Sequence, residues 1–185
     1  MSLKLIRVLS GLVAVAMTAV PAASNELAAR QSTDASTTCD TDSAIPFYRC
    51  ARPQSDHFYT VNYNEMQTSV DEGSVFEGNM GLVFRSPTAN TTLFYRLYNV
   101  GATDHFYTTN QGEADVTIQL DGYTTEGTAA YVYSDQICGS IPLYRLYAPG
   151  DQDHFYTTNE TERDSAVAYA GYIYEGIACY VLPNL

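Results

Sequence analysis

The chain has 185 residues and carries nine Lys+Arg against 21 Asp+Glu, a net charge of -12, while its 45% hydrophobic and 12% aromatic content is too apolar for a disordered acidic tail. Lys4 and Arg7 lie in a segment expected to be removed, which leaves seven basic residues and no lysine. That balance argues against nucleic acid and anionic membrane surfaces as partners, since both need a basic footprint, and it removes Schiff-base and P-loop chemistry, which need a lysine.

Residues 1–23 read as a secretory signal: Lys4 and Arg7 supply a positive start, residues 8–20 an apolar run too short to span a bilayer, and Pro21-Ala22-Ala23 a small-residue cleavage region. The mature protein is therefore expected to be secreted, extracellular and monomeric. Residues 24–45 are mostly small and polar and are expected to form a loose leader. Export implies that Cys39, Cys50, Cys138 and Cys179 form two disulfides. Asn90-Thr91-Thr92 and Asn159-Glu160-Thr161 are sequons, so Asn90 and Asn159 are expected glycosylation sites in a eukaryotic host.

From residue 46 onward the chain repeats itself. Tyr48-Arg49, Tyr95-Arg96 and Tyr144-Arg145 recur, Asp-His-Phe-Tyr-Thr stands unchanged at 56–60, 104–108 and 153–157, and Glu77-Gly78, Glu126-Gly127 and Glu175-Gly176 close each copy. The copies are expected at about residues 46–90, 91–139 and 140–185 of one domain spanning 46–185. Within a copy, an aromatic run such as Leu143-Tyr144-Arg145-Leu146-Tyr147 and the following His154-Phe155-Tyr156 predict a hairpin. Asn62, Asn110 and Asn159, each followed three residues later by Glu65, Glu113 or Glu162, predict helix caps of the capping-box type. Gly73, Gly122 and Gly171 are placed to stop those helices. A last apolar strand follows, with a fourth strand expected only if Glu-Gly divides it. The fold class is thus β-rich α+β: three pseudo-symmetric repeats of strand, strand, short helix and strand or strands.

One copy has too few apolar residues for its own core, so the three must pack together, and a compact three-fold ring needs only a latch between first and last. Cys50 stands where the other copies have Leu97 and Leu146, and Cys179 where they have Gly81 and Ala130, at the two ends of the array. A Cys50–Cys179 latch is therefore expected. Cys39 and Cys138 both lie shortly upstream of a Tyr-Arg strand and are expected to pair with each other.

The pattern Pro-Leu-Tyr-Arg-Leu-Tyr, a turn, Asp-His-Phe-Tyr-Thr-Thr, Gly-Tyr and Glu-Gly-Ile-Ala resembles a domain family of unknown function found in secreted fungal proteins and as an appendage on bacterial cell-wall hydrolases and surface proteins. The resemblance covers residues 46–185. It implies an extracellular location, three repeats in one domain and a non-catalytic accessory role in glycan attachment. The chain departs from that family in having no Trp, and its first copy departs most, with Cys50, Ser74 and Asn79-Met80.

The groups that could carry chemistry recur once per copy: an Arg, a His, a carboxylate and a Tyr. One reading makes Tyr95, Arg96, His105 and Tyr107, with Tyr144, Arg145, His154 and Tyr156, ligand-binding residues whose rings stack on a pyranose while the charged groups bond its hydroxyls. The other pairs each Arg with an acid inside its own copy as a structural network. Three histidines could meet on an axis and hold zinc, but metal ligands rarely come inside a repeated Phe-Tyr strand, so no metal and no cofactor is expected. Identical acids in equivalent places look like scaffold, and no Gly-x-Ser-x-Gly is present, so no enzyme is expected. The expected function is a secreted carbohydrate-binding or surface-attachment module that takes a glycan or cell-wall polysaccharide. The alternative is a secreted protein-interaction module, an inhibitor or effector, with a hydrolase behind both.

Overall fold

The computed structural model describes residues 39, 41–53 and 56–184, so the expected signal segment 1–23 and leader residues 24–38 lie outside the described residues. The leader's end is held rather than loose: Cys39 is disulfide-bonded to Cys138, and Ala44 packs beside Phe84, Tyr133 and Leu182.

Three runs follow, each strand, strand, helix, strand. Unit one comprises β1 (Ile45–Arg52), β2 (Asp56–Thr60), α1 (Tyr63–Asp71) and β3 (Val75–Val83). Unit two comprises β4 (Thr91–Asn99), β5 (Asp104–Thr108), α2 (Gln111–Leu120) and β6 (Thr124–Tyr133). Unit three comprises β7 (Ile141–Ala148), β8 (Asp153–Thr157), α3 (Glu160–Tyr169) and β9 (Ile173–Val181). The first strand of each is central, with the second and last strands antiparallel on either side. Unit one forms a three-stranded sheet, and the other two share a six-stranded sheet in the order β5-β4-β6-β9-β7-β8.

Glu-Gly does not split the last strand. At Glu77, Glu126 and Glu175 the pairing with the central strand slips by one residue, and Gly78, Gly127 and Gly176 have φ of +105°, +92° and +117°. This is a β-bulge, and the positive φ is why glycine recurs there. The extra residue is the glutamate, which the bulge turns toward the arginine of the central strand.

The central core takes Phe47, Tyr59, Phe94, Tyr107, Leu143, Tyr156 and Cys179, and smaller clusters lie under each helix. Cys50 belongs to one of these, against Phe58 and Met66, whereas Cys179 belongs to the central core. Both are unpaired thiols, which overturns the expected Cys50–Cys179 latch. The physical reason for Cys50 is volume: unit one packs a small Cys50 against the large Met66, and unit two packs the large Leu97 against the small Ala114. Residues of fitting total volume, not a crosslink, explain the exception. The Cys39–Cys138 bond is the disulfide present.

Candidate functional site

Strands β2, β5 and β8 lie at sheet edges, so their outward N–H and C=O groups need partners. Each tyrosine of Asp-His-Phe-Tyr-Thr supplies them to the next strand. The Tyr59 hydroxyl accepts from the Tyr156 N–H at 2.7 Å and donates to the Tyr156 carbonyl at 2.8 Å. Tyr107 does the same for the backbone of Tyr59, and Tyr156 for that of Tyr107. The rings meet edge to face at 5.4–5.5 Å. Burial pushes all three phenols well above their ordinary range, so each keeps the proton it donates. Tyr107 and Tyr156 are 0% and 1% exposed. They are core residues, and their expected stacking on a ligand is corrected by that burial.

The histidines follow the same cyclic order. The backbone N–H and Nδ1 of His57 contact Asp153, those of His105 contact Asp56, and those of His154 contact Asp104, with Nδ1 distances of 2.6–2.8 Å to the nearer carboxylate oxygen. The hydroxyls of Tyr123 and Tyr172 donate to Asp104 and Asp153. Oxygens of the three aspartates lie within 4.8 Å of one another, the one acid cluster among the described residues close enough to share a cation. Imidazoles, amides and phenols already bond those oxygens.

The caps are formed by Asn62, Asn110 and Asn159, whose side chains accept from N–H groups of the first turn. Their glutamates do not complete a capping box. The cap N–H donates instead to Thr60, Thr108 or Thr157, whose hydroxyl donates to Glu65, Glu113 or Glu162. Each glutamate then faces an arginine of another unit: Arg96 forks onto Glu65 at 3.0 and 3.2 Å, Arg145 onto Glu113 at 2.9 and 3.1 Å, and Arg49 onto Glu162 at 2.8 and 3.0 Å. The expected pairing inside each unit is thus only half of the network. The bulge glutamates Glu77, Glu126 and Glu175 lie 2.8–2.9 Å from Nε of Arg49, Arg96 and Arg145. Those Nε–H groups do not point at the oxygens, so these contacts are ion pairs rather than hydrogen bonds. Each guanidinium also lies over a phenylalanine of the unit it reaches: Phe155, Phe58 or Phe106.

Burial pulls the His105 imidazolium down, but hydrogen bonds to Asp56 and Glu126 outweigh it and leave its pKa above the ordinary 6.5. Burial raises Glu113 and Glu162, and their Arg partners bring both below the ordinary 4.5; Glu126 is lowered first by its bond to His105. A raised His stabilises fully below its unfolded pKa and loses that contribution as pH rises through the folded one. A lowered Glu stabilises above its unfolded pKa and loses it as pH falls. Thermal melts across pH 3–9 are therefore expected to peak between about pH 4.5 and 6.5, and His105→Asn should flatten the alkaline decline. A melting temperature that climbs steadily from pH 5 to pH 8 would contradict this balance.

Between the units the network leaves open clefts. One of about 450 Å³ lies between units two and three, where Arg145, His154 and Tyr147 face Glu113, Asp121 and Tyr123. Another, of about 240 Å³, lies between units one and two, lined by Arg96, His105, Phe58 and Glu65 among others. Arg96, His105, Arg145 and His154 thus line the clefts and at the same time hold the units together. Tyr95 and Tyr144 line neither cleft: Tyr95 packs on the Leu97 cluster, and Tyr144 is buried, with its hydroxyl on Glu160 at 2.7 Å and Arg163 over its ring. Four residues that the repeat pattern does not single out, Tyr147, Asn99, Asp121 and Gln152, line the larger cleft, and Tyr98 lines a third opening of about 280 Å³ with Arg52 and Ser74. Their signal is variation among the copies rather than identity. Pairing with the following histidine or aspartate places Ala51 opposite His57 where Tyr98 and Tyr147 face theirs, and Ala148 opposite Asp153 where Asn99 faces Asp104.

No helix among the described residues is long and apolar enough to cross a membrane. Comparison of the chain with curated proteins and with solved structures returns no match. A family model does match, over residues 34–182. The chain belongs to the DUF5648 family, a domain of unknown function.

Proposed function

We propose that the protein is a secreted, non-catalytic carbohydrate-binding module and that the cleft between units two and three is its principal glycan site. The cleft itself carries this reading. It is open, about 450 Å³ in volume, and lined mostly by polar groups, which suits a ligand covered in hydroxyls better than an apolar one. Arg145 and Glu113 are held by their own ion pair, so their remaining lone pairs and protons are presented without further ordering. Tyr147, half-buried with its ring 4.6 Å from that of His154, offers a planar face for a pyranose. Between units one and two the same groups are divided between two smaller openings, one lined by Arg96, His105 and Glu65 and the other by Tyr98. Between units three and one, Ala51, Ala148 and Ala170 take the places of tyrosine, Asn or Arg, and acid, so two clefts rather than three are equipped.

The same reading takes the three units as pseudo-equivalent copies closed around one axis. It is supported by the cyclic order of the tyrosine, aspartate and arginine contacts, each of which returns from unit three to unit one. Export is supported by the Cys39–Cys138 disulfide, a bond that persists in oxidising compartments.

A glycan array, followed by polysaccharide pull-down, tests the assignment. Tyr147→Ala removes a ring outside the ion-pair network and is expected to weaken binding about tenfold or more, with the melting temperature within about 2 °C of the parent. Full binding by Tyr147→Ala, or no glycan bound by the parent chain, would retire the assignment.

A further inference from the structure

Two units contain a tyrosine that the third lacks. Immediately after the helix-stopping glycine, units two and three carry Tyr123 and Tyr172, and unit one carries Ser74. In unit two the Tyr123 ring packs 6.0 Å from Phe106 and its hydroxyl donates to the buried Asp104. In unit three the Tyr172 ring packs 5.6 Å from Phe155 and its hydroxyl donates to the buried Asp153. Unit one keeps both receptors, Phe58 and the fully buried Asp56, without the ring that would bridge them.

What stands there instead fills the place poorly. Ser74 bonds Ser69 at 2.8 Å. Arg52 reaches in from the end of β1 with its guanidinium 5.8 Å from the Phe58 centroid, and its contact with Asp56 is a long 3.5 Å. Its side chain remains 32% exposed. Cavities of about 240 and 280 Å³ adjoin it, the first against Phe58 and Ser69, the second against Ser74 and Tyr98. For scale, an enclosed apolar cavity of about 150 Å³ holds a benzene ring.

We infer that this place in the cleft between units one and two is a receptor for a para-hydroxyphenyl group. The ring lies on Phe58 as Tyr123 lies on Phe106, and the hydroxyl donates to Asp56 as the Tyr123 hydroxyl donates to Asp104. Arg52 swings outward to admit it. The protein thus carries two covalently attached examples of the ligand in the corresponding places of its other units, and these fix both the ring plane's partner and the hydroxyl's acceptor. The inference does not depend on the glycan reading, since it uses Phe58, Asp56 and Arg52 rather than the cleft around Tyr147. A tyrosyl side chain of a peptide and a free phenolic compound present the same group.

The test is calorimetric titration of the full chain with p-cresol, toluene and N-acetyl-tyrosinamide. Because the hydroxyl meets a buried carboxylate, p-cresol is expected to bind about tenfold or more tighter than toluene. Comparable binding of N-acetyl-tyrosinamide would support the site with a peptide as source, and binding of p-cresol alone would support it with a free phenolic. Ser74→Tyr supplies the ring covalently and is expected to abolish p-cresol binding and raise Tm by about 2–4 °C. The span from cap to glycine in unit one, Asn62 to Gly73, is one residue shorter than that from Asn110 to Gly122, so a second variant is needed should Ser74→Tyr fail to fold. Arg52→Ala, at the cleft mouth, vacates the site and is expected to tighten p-cresol about threefold or more. Equal affinities for p-cresol and toluene, undiminished p-cresol binding in folded Ser74→Tyr, or unchanged or weaker binding in Arg52→Ala would overturn the inference.

Discussion

Arg49→Ala is expected to destabilise the protein by about 3–5 kcal/mol, the largest effect of any single arginine replacement here. Arg49 forks onto Glu162 of α3, sits beside Glu77 of its own bulge, reaches the Tyr156 carbonyl and covers the ring of Phe155. Its side chain is only 6% exposed, against 15% for Arg96 and 16% for Arg145. Burial works against the Arg49 cation, but the bonds to Glu162 and the charges around it win, and the pKa is raised further above its ordinary value. Truncation leaves Glu162 and Glu77 without their cation while the neighbouring acids remain. It also unties β1 in unit one from α3 in unit three, contacts separated by more than a hundred residues, so no local refolding can replace them. The equivalent change at Arg145 leaves carboxylates with a similar share of exposed surface, but the arginine removed is wetter, and a smaller loss of about 2–3 kcal/mol is expected. Arg49→Lys keeps the charge and loses the fork, so it should fall between parent and Arg49→Ala. Urea titration of the three variants measures the order. A loss below about 1 kcal/mol for Arg49→Ala would mean that Glu162, at 37% side-chain exposure, recovers its hydration and that the ion pairs do not hold the units together.

The local structure was legible because its signals are local. Aromatic runs predicted the strands, Asn at the helix starts and glycine at their ends predicted the caps, and all twelve elements run in the expected order. What the sequence could not convey is where a side chain finds a partner in another unit. Glu65, three residues after Asn62, has the spacing of a capping box, yet Thr60 takes the cap N–H and frees Glu65 for Arg96. Glu-Gly reads as a break between strands because glycine is a breaker, whereas the bulge keeps one strand and uses the glycine's positive φ to aim the glutamate. Cys50 looks like a latch because a cysteine at the end of a repeat array is conspicuous, and its small volume beside Met66 has no signature in a single line of sequence. The candidate site inverted the reading most. Residues identical in all copies, Tyr107 and Tyr156 among them, are the scaffold's closing bonds, and what distinguishes one cleft from another is set by positions that differ between copies, such as Tyr147 and Ala51.

The second large effect is expected at that scaffold. Tyr156→Phe leaves the ring and its edge-to-face packing on Tyr59 and Tyr107 in place and removes one oxygen. That oxygen accepts from the Tyr107 N–H and donates to the Tyr107 carbonyl, both at 2.8 Å. Each of these backbone groups lies on an edge strand inside the core, where an unpaired polar group costs about 1–3 kcal/mol, so a combined loss of about 2–4 kcal/mol is expected. A hydroxyl whose removal left nothing stranded would cost far less, which makes Tyr147→Phe in the open cleft the control, expected within about 0.5 kcal/mol. The position of the damage is predictable as well: the Tyr107 amide should exchange with solvent faster in Tyr156→Phe, while the Tyr59 amide, which the Tyr107 hydroxyl still caps, should keep its protection. Tyr59→Phe strands the backbone of Tyr156 instead and should expose that amide. Hydrogen exchange on the two variants therefore follows the direction of the cycle. If both variants lose protection equally at all three tyrosines, the hydroxyls stabilise the core as one cooperative body, and the bond-by-bond account of the closure is wrong.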